Sequence, residues 1–337
     1  MTAPSSVASR PAPAELRDLA DQFRQAAERA LGEDALREVA ERVARFGESA
    51  TLELPAGDDV RTRLPAAVAA LKALKQRLAD DGAPADPTAD GAPDGKTGDT
   101  YALERIVLLR AAVAAAGRVP TLPVDDGVRR LFFDEFRIFA APSARQRPLL
   151  KLGTATFRAA CELARLVRFP AGQYHWDVSG LSRRMLLKVP PLELPRVLYF
   201  LARRMRGVAP AFFPHVNGFR RNPFVWVEAE SNRSFHRMAR ALALQPQMLG
   251  LVTHAWLHDP DLHVVSPHLA WINRVFLDNG GLVVANGSAA RDKAVLANNA
   301  ARKQAVEDGQ YRPRYGLVLW PRAAMLDWAA RHPEFAD

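Results

Sequence analysis

Four of the eight histidines lie between positions 254 and 268, in the segment HAWLHDPDLHVVSPH. Imidazole groups and carboxylates such as Asp259 are common metal ligands. If the segment is a strand, however, His254 and His258 lie about 13 Å apart along it. A shared ion is then disfavoured, and we expect no metal. An imidazole with an ordinary pKa near 6.5 is suited to act as a general base, with Asp259 beside it. Partly exposed histidines in a loop are the third interpretation.

A basic stretch covers residues 183–240, with twelve Lys or Arg residues against three Glu residues. Arg196 and Arg203 share one face of a predicted helix, and Arg233, Arg237 and Arg240 share a face of the next. Guanidinium groups match phosphate geometry. The pattern therefore fits a small anionic ligand, a nucleic-acid backbone or a solvated helix face. No zinc-finger or RNA-recognition motif favours nucleic acid.

Polar and apolar side chains alternate in the segment AGQYHWDVSG. Gln173, His175 and Asp177 fall on one face of a predicted strand, opposite Tyr174 and Trp176. Such a polar face is ordinarily exposed, but it could equally line a pocket. We take Gln173, His175, Trp176 and Asp177 as candidate substrate-binding residues.

Glycines bracket a short predicted strand in Leu277–Gly287, which reads LDNGGLVVANG. A predicted helix over 289–308 follows, and Ser288 is placed to cap it. Backbone N–H groups at a helix start bind phosphate, whereas simple turn glycines are the alternative. Neither a P-loop nor a dinucleotide-binding glycine pattern is present.

The elements that must position these residues follow from hydrophobic periodicity. The helical spacing predicts helices over residues 14–46, 63–79, 101–116, 148–167, 192–205, 232–244, 289–308 and 322–331. Strands are predicted over 173–178 and 184–189, forming a hairpin, and over 224–228, 247–256, 269–276, 281–285 and 315–320. Leu131–Phe139 fits either type, and His215 is expected in a loop. The alternation predicts an α/β (α+β) fold with a mixed twisted sheet flanked by helices.

Composition divides the 337 residues into four segments. We predict a disordered tail over 1–13, a small helical N-terminal region over 14–79, a flexible linker over 80–100 and a main α/β domain over 101–337. The linker has no large apolar residue, so it cannot bury enough surface to offset the cost of ordering.

Charge and cysteine content narrow the functional classes. Residues 1–100 hold 13 Lys or Arg and 18 Asp or Glu, whereas the rest of the chain holds 33 and 19. The basic part favours anionic partners. No apolar run is long enough to cross a membrane, so we expect a soluble, cytoplasmic protein. The single cysteine, Cys161, is expected to be a buried core thiol.

Residues 224–320 resemble the core of the GNAT acyltransferases, in which a strand, a helix and two strands precede the helix at the cofactor pyrophosphate and a final strand. The resemblance implies acyl transfer from acyl-CoA, with Asn286, Gly287, Ser288 and Arg291 at the pyrophosphate. Val284–Ala290 reads VANGSAA where the family carries a Q/R-x-x-G-x-G/A loop. The segment WLHDPDLHVVSPHLAW resembles bacterial proteins of unknown function.

The leading hypothesis is therefore a bacterial enzyme that binds a small, anionic or phosphorylated ligand. The resemblance to the GNAT acyltransferases implies that this ligand is acyl-CoA. His254 or His258 would deprotonate an acceptor amine. Two alternatives stay open: a binding protein that holds nucleic acid or an acidic partner through the arginine face, and a His/Asp metal enzyme.

Overall fold

A computed structural model describes residues 14–55, 59–81, 101–219, 226–292, 295 and 299–337. The predicted tail over 1–13 and most of the predicted linker over 80–100 lie outside the described residues. The chain divides into two units. The N-terminal unit comprises residues 1–122, 126–170 and 218–221, and the C-terminal unit comprises 123–125, 171–217 and 222–337.

Helices dominate the N-terminal unit. They are α1 (Ala14–Leu31), α2 (Asp34–Arg45), α3 (Asp59–Asp81), α4 (Ala102–Ala116), α5 (Asp126–Ala140) and α6 (Ala155–Ala164), followed by a short strand, β1 (Arg168–Pro170). In α5, the segment that fits either type, Phe132, Phe136 and Phe139 are fully buried at helical spacing. That spacing places them on one side of a helix, so α5 packs into the core.

Helix α4 is buried around most of its circumference, so its polar side chains need partners. Lys75 meets Glu104 at 2.5 Å, and Arg105 meets Glu33 at 3.0 Å. The guanidinium of Arg105 also donates to the carbonyl of Ala140 at 2.7 Å. Helices α4 to α6 therefore belong with the N-terminal helices, whereas the sequence groups them with the main domain. That the predicted ranges fold as independent domains stays a prediction.

Strands and helices alternate in the C-terminal unit. The elements are β2 (Tyr174–Ser179), α7 (Arg183–Leu186), α8 (Leu194–Phe200) with a π-helical turn over Leu201–Met205, β3 (Ala211–Val216), α9 (Glu228–Leu244), β4 (Gly250–Ala255), α10 (Leu262–Val265), α11 (Trp271–Leu277), β5 (Leu282–Ser288), α12 (Ala300–Glu307), β6 (Arg314–Pro321) and α13 (Arg322–Arg331).

Five of these strands form a mixed sheet in the order β2, β3, β4, β6, β5. Strands β2 and β3 are antiparallel from Tyr174 opposite Val216 onward, and β6 pairs antiparallel with both β4 and β5. Strands β3 and β4 are parallel. The predicted mixed sheet flanked by helices is confirmed.

Helices cover both faces of the sheet. One face packs an aliphatic layer from α8 and the π-helical turn, including Val197 and Leu201, against Val252 and Leu317. The other face holds an aromatic cluster, which we define as Phe235, Phe276, Trp320 and Trp328, with neighbouring ring centroids 5.2 to 6.0 Å apart.

Two of the predicted strands are wrong, because most residues of one segment and part of the other form short helices in the structure. Residues 184–189 do not form a hairpin with β2: Ser182 accepts a hydrogen bond from the backbone N–H of Met185 and caps α7. Strand β2 pairs with β3 instead. The segment 269–276 lies mostly in α11, where Ile272 and Phe276 are buried four residues apart.

The other differences concern element boundaries. Of the predicted strand 224–228, residues 224 and 225 lie outside the described residues, and Glu228 begins α9. Of the helix predicted over 289–308, residues 289–292 are not helical, residues 293, 294 and 296–298 lie outside the described residues, and α12 begins at Ala300, where Asn299 caps it by accepting from the N–H of Arg302 at 2.8 Å. His215 lies in β3 rather than in a loop.

Within the described ranges, no helix combines the length and the apolar composition needed to cross a bilayer. A cytoplasmic location stays a prediction.

Candidate active site

Strands β3 and β4 share one paired register position, Phe212 opposite Leu251, and residues beyond it on both strands line a common cleft. This cleft of about 200 Å³ lies between their carboxyl ends. Its lining residues are Tyr174, Phe213, Pro214, His215, Val216, Phe235, Thr253, His254, Ala255, Leu257 and His258. Because side chains alternate along each strand, the lining draws on both faces of the sheet. The strand edges that face the cleft can offer backbone N–H and C=O groups to a ligand.

Three histidines line this cleft, and His215 is the one with a carboxylate partner. Its Nε2–H donates to Oδ2 of Asp177 in the neighbouring strand at 3.0 Å. The pair is diagonal in the β2–β3 register, in which Asp177 lies opposite Phe213. Donation from Nε2 leaves the lone pair of the neutral ring on Nδ1. His215 therefore has the arrangement of a general base oriented by a carboxylate.

His254 lies near the end of β4. Its ring stacks on Tyr315 with centroids 4.8 Å apart, and its Nε2–H donates to the backbone oxygen of Asn286 at 3.4 Å. Burial lowers the pKa of His254, and the positive charge of Lys188 lowers it further. The imidazole is therefore neutral at pH 7.

His258 lies in the turn after β4 and is buried. Its Nδ1–H donates to Oδ1 of Asn273 at 3.0 Å, and its ring meets Phe276 edge to face. Its carbonyl oxygen lies against Gly316 of β6, where a Cβ atom would approach that oxygen to 1.8 Å. Glycine at 316 therefore lets the turn pack onto the sheet and holds His258 at the cleft.

The buried state of His258 predicts a stability that falls in acid. Burial lowers the pKa of His258 from 6.5 to about 4. Between those values the unfolded chain binds a proton that the folded chain does not. The contribution of His258 is therefore complete above about pH 6.5, and it declines by up to roughly 3 kcal/mol as the pH falls to about 4.

Urea unfolding of the wild type and H258Q at neutral and acidic pH measures this contribution. The loss of unfolding free energy on acidification should be smaller in H258Q, because the other histidines titrate in both proteins. Parallel pH profiles for the two proteins would contradict the assignment.

Asp259 is fully buried beside the cleft but is not one of its lining residues. Tyr311 donates its hydroxyl to Oδ2 at 2.7 Å, and the backbone N–H of Arg314 donates to the same oxygen at 2.9 Å. The backbone N–H of Asp261 donates to Oδ1 at 3.1 Å. These bonds favour a structural role in which Asp259 ties the turn to β6. Its catalytic role stays a prediction.

The candidate substrate-binding residues are mostly buried rather than exposed. Gln173 accepts a hydrogen bond from Ser231 at 3.0 Å, and Trp176 packs on Phe212 with centroids 5.5 Å apart. His175 is likewise fully buried. Of the four candidates, Asp177 has a direct partner in the cleft lining, through His215.

The candidate pyrophosphate residues lie at the end of β5 and in the turn that follows it, and residues 289–292 do not form the helix expected there. Asn286 is buried: its Nδ2 donates to the carbonyl of Met185 at 2.8 Å, and its backbone oxygen accepts from His254. Gly287, with φ of 79°, lies where the pairing register of β5 with β6 shifts. Ser288 accepts from the N–H of Ala290 at 3.3 Å and so caps a turn, whereas Arg291 is exposed.

The histidine at 215 is the feature that sequence reasoning missed. Pro214 within β3 argues against a strand, because proline cannot donate to a ladder. The signal that could have identified β3 is the apolar run before Pro214, with Phe212 and Phe213.

No group of three or more His, Cys, Asp or Glu side chains suited to a metal ion is found in the part of the chain that the structure describes.

Comparisons with known proteins identify no family. No family model matches the sequence, and no curated protein matches it. Among solved structures, the chain is similar to an acyltransferase in complex with decanoyl-CoA, at 14% sequence identity and a TM-score of 0.45. The match covers 90% of this chain and 99% of that chain. At this TM-score the likeness supports no argument about activity.

Proposed function

We propose that the protein is an acyltransferase that transfers an acyl group from acyl-CoA to a small amine or a similar acceptor, with the thioester bound between β3 and β4. The observation that supports this most is the cleft of about 200 Å³ at the carboxyl ends of two parallel strands that pair at Phe212 and Leu251. The expected GNAT order also fits better if β3, rather than residues 224–228, is the first strand of the core.

The shape and polarity of the cleft suit the pantetheine arm of CoA. That arm is narrow, extended and contains two amides, so it can bond to strand edges in the way an added strand does. The walls include Phe213, Phe235 and Leu257, which offer apolar surface to an acyl chain. CoA phosphates are anionic, and the chain after residue 100 holds 33 basic against 19 acidic residues.

The histidines suit the proton transfer that the reaction needs. As the acceptor nitrogen attacks the thioester carbonyl carbon, it must lose a proton; the C–S bond then breaks and the CoA sulfur leaves as thiolate, to be protonated. We assign the general base to His215, because Asp177 orients the ring and stabilises the imidazolium that forms. His254 is the second candidate base. His258, with a pKa lowered to about 4, is a poor base at neutral pH.

Thermal unfolding with acetyl-CoA tests the binding site. Ala255 is half-buried at the cleft, whereas Ala243 is exposed on α9. Saturating acetyl-CoA should raise the melting temperature of the wild type and of A243W by mass action, but not that of A255W, whose indole fills the cleft.

Circular dichroism of A255W without ligand establishes that the variant is folded. The proposal fails if the wild type shows no shift at saturating acetyl-CoA, or if A255W shifts as much as the wild type.

A further inference from the structure

We propose that a second pocket of the C-terminal unit binds a small molecule that carries phosphoryl groups on a partly apolar body. The pocket, of about 550 Å³, lies where β4 begins and β6 ends. Its lining residues are Arg203, Arg204, Met205, Arg206, Pro246, Met248, Leu249, Arg322 and Ala323. The acyl-CoA cleft lies at the other end of β4, so the two sites are distinct. We name this second site the arginine pocket.

Four of the nine lining residues are arginines, and none is acidic. Among the described residues, these four arginines form no ion pair. Other arginines of the same unit do: Arg196 pairs with Glu193, and Arg331 pairs with Asp327. Guanidinium groups that converge on a cavity without a carboxylate leave their charge for an anionic ligand.

The backbone that presents three of these arginines is irregular. The π-helical turn Leu201–Met205 ends at Arg206, which has φ of 62°. A residue other than glycine is strained in this left-handed region, because its Cβ atom crowds the backbone carbonyl oxygen. Leu201 and Met205 are buried and anchor the turn, so the arginines are displayed from a fixed base. Such turns and left-handed residues concentrate at functional sites.

The fourth arginine begins helix α13, which adds the partial positive charge of a helix N-terminus to the pocket. No side chain caps this helix. Arg322 donates from Nη2 to the carbonyl of Leu242 at 2.9 Å, while its buried Nε has no hydrogen-bond partner among the described residues. Both features favour an anion at this end of the sheet.

Apolar side chains complete the pocket. Met205 and Met248 are buried, and Leu249 is half-buried. A ligand with only charged groups would leave this surface without a partner, so the lining favours phosphoryl groups joined to a ring or an aliphatic body. The concave shape favours a small molecule over a nucleic-acid backbone.

Isothermal titration calorimetry with inorganic pyrophosphate at low salt tests the phosphoryl part of the proposal in the full chain. R203Q/R204Q removes two exposed guanidinium groups and should weaken binding about tenfold or more. R196Q is the matched control, because Arg196 is an exposed arginine of α8 outside the pocket, and it should bind as the wild type does. A255W should also bind pyrophosphate normally, which separates this site from the proposed acyl-CoA cleft.

A parallel titration with a fluorescent RNA oligonucleotide separates the sources of phosphate. The proposal is overturned if the wild type does not bind pyrophosphate, or if R203Q/R204Q and R196Q bind it equally. It is also overturned if the oligonucleotide binds more tightly than pyrophosphate and R203Q/R204Q abolishes that binding, because the pocket would then serve a nucleic acid.

Discussion

Replacing His215 by glutamine is expected to lower kcat for acyl transfer about 10²- to 10⁴-fold, which is the range that a general base contributes. Glutamine keeps most of the side-chain volume and a donor for Asp177, whose Oδ2 lies 3.0 Å from the imidazole Nε2 in the wild type. The affinity for acetyl-CoA should change little, because the cleft keeps its shape. Release of CoA thiol from acetyl-CoA with a panel of primary amines measures kcat, and calorimetry measures the affinity.

Three companion variants make the result specific. D177N should lower kcat less than H215Q does and should shift the pH profile, because Asp177 positions His215 and stabilises its protonated form. H263Q is the control: His263 is exposed and lies outside the cleft lining. If H215Q keeps full activity while H254Q loses it, the base is His254 and the assignment is wrong.

The largest expected effect on stability comes from Trp320 in the aromatic cluster. W320A should lower the free energy of unfolding by about 3–5 kcal/mol, the usual cost of removing a buried large aromatic side chain. Trp320 is fully buried, contacts the rings of Phe235, Phe276 and Trp328, and donates from its indole N–H to the carbonyl of Asn279 at 2.9 Å. Denaturant unfolding measures the change.

The exposed Tyr199 provides the comparison. Its side chain is 67% exposed, so Y199A should change the free energy of unfolding by no more than about 0.5 kcal/mol. W320F should fall between the two, because it keeps a ring but loses the indole hydrogen bond. Equal destabilisation by W320A and Y199A would show that the aromatic cluster does not stabilise the unit. Since Phe235 also lines the cleft, W320F should weaken acetyl-CoA binding as well.

Local patterns were enough to predict much of the fold. The spacing of apolar residues identifies α1 to α3 and α9, and the apolar runs identify β4 and β6. The end of β4 also places His254 and His258 near one another in sequence, and the structure brings both to one cleft.

The rest depends on contacts between distant segments. The cleft forms where β3 and β4 lie parallel and side by side, and no local pattern encodes that pairing. Asp177 and His215 meet only through the pairing of β2 with β3. The arginine pocket joins residues near 205, 248 and 322. In the sequence alone, its arginines resemble separate solvated charges. In α11, tertiary burial of Ile272 and Phe276 overrides the apolar run that suggested a strand.

The burial of Cys161, as the sequence predicts, gives the chain a chemical probe of one unit. It is the chain's single sulfhydryl, it lies in α6 of the N-terminal unit, and its burial raises the pKa of the thiol. All six tryptophans lie in the C-terminal unit. Alkylation of the thiol therefore reports the opening of the N-terminal unit, and tryptophan fluorescence reports the unfolding of the C-terminal unit. The wild-type protein, without any introduced label, thus reveals the order in which the two units unfold.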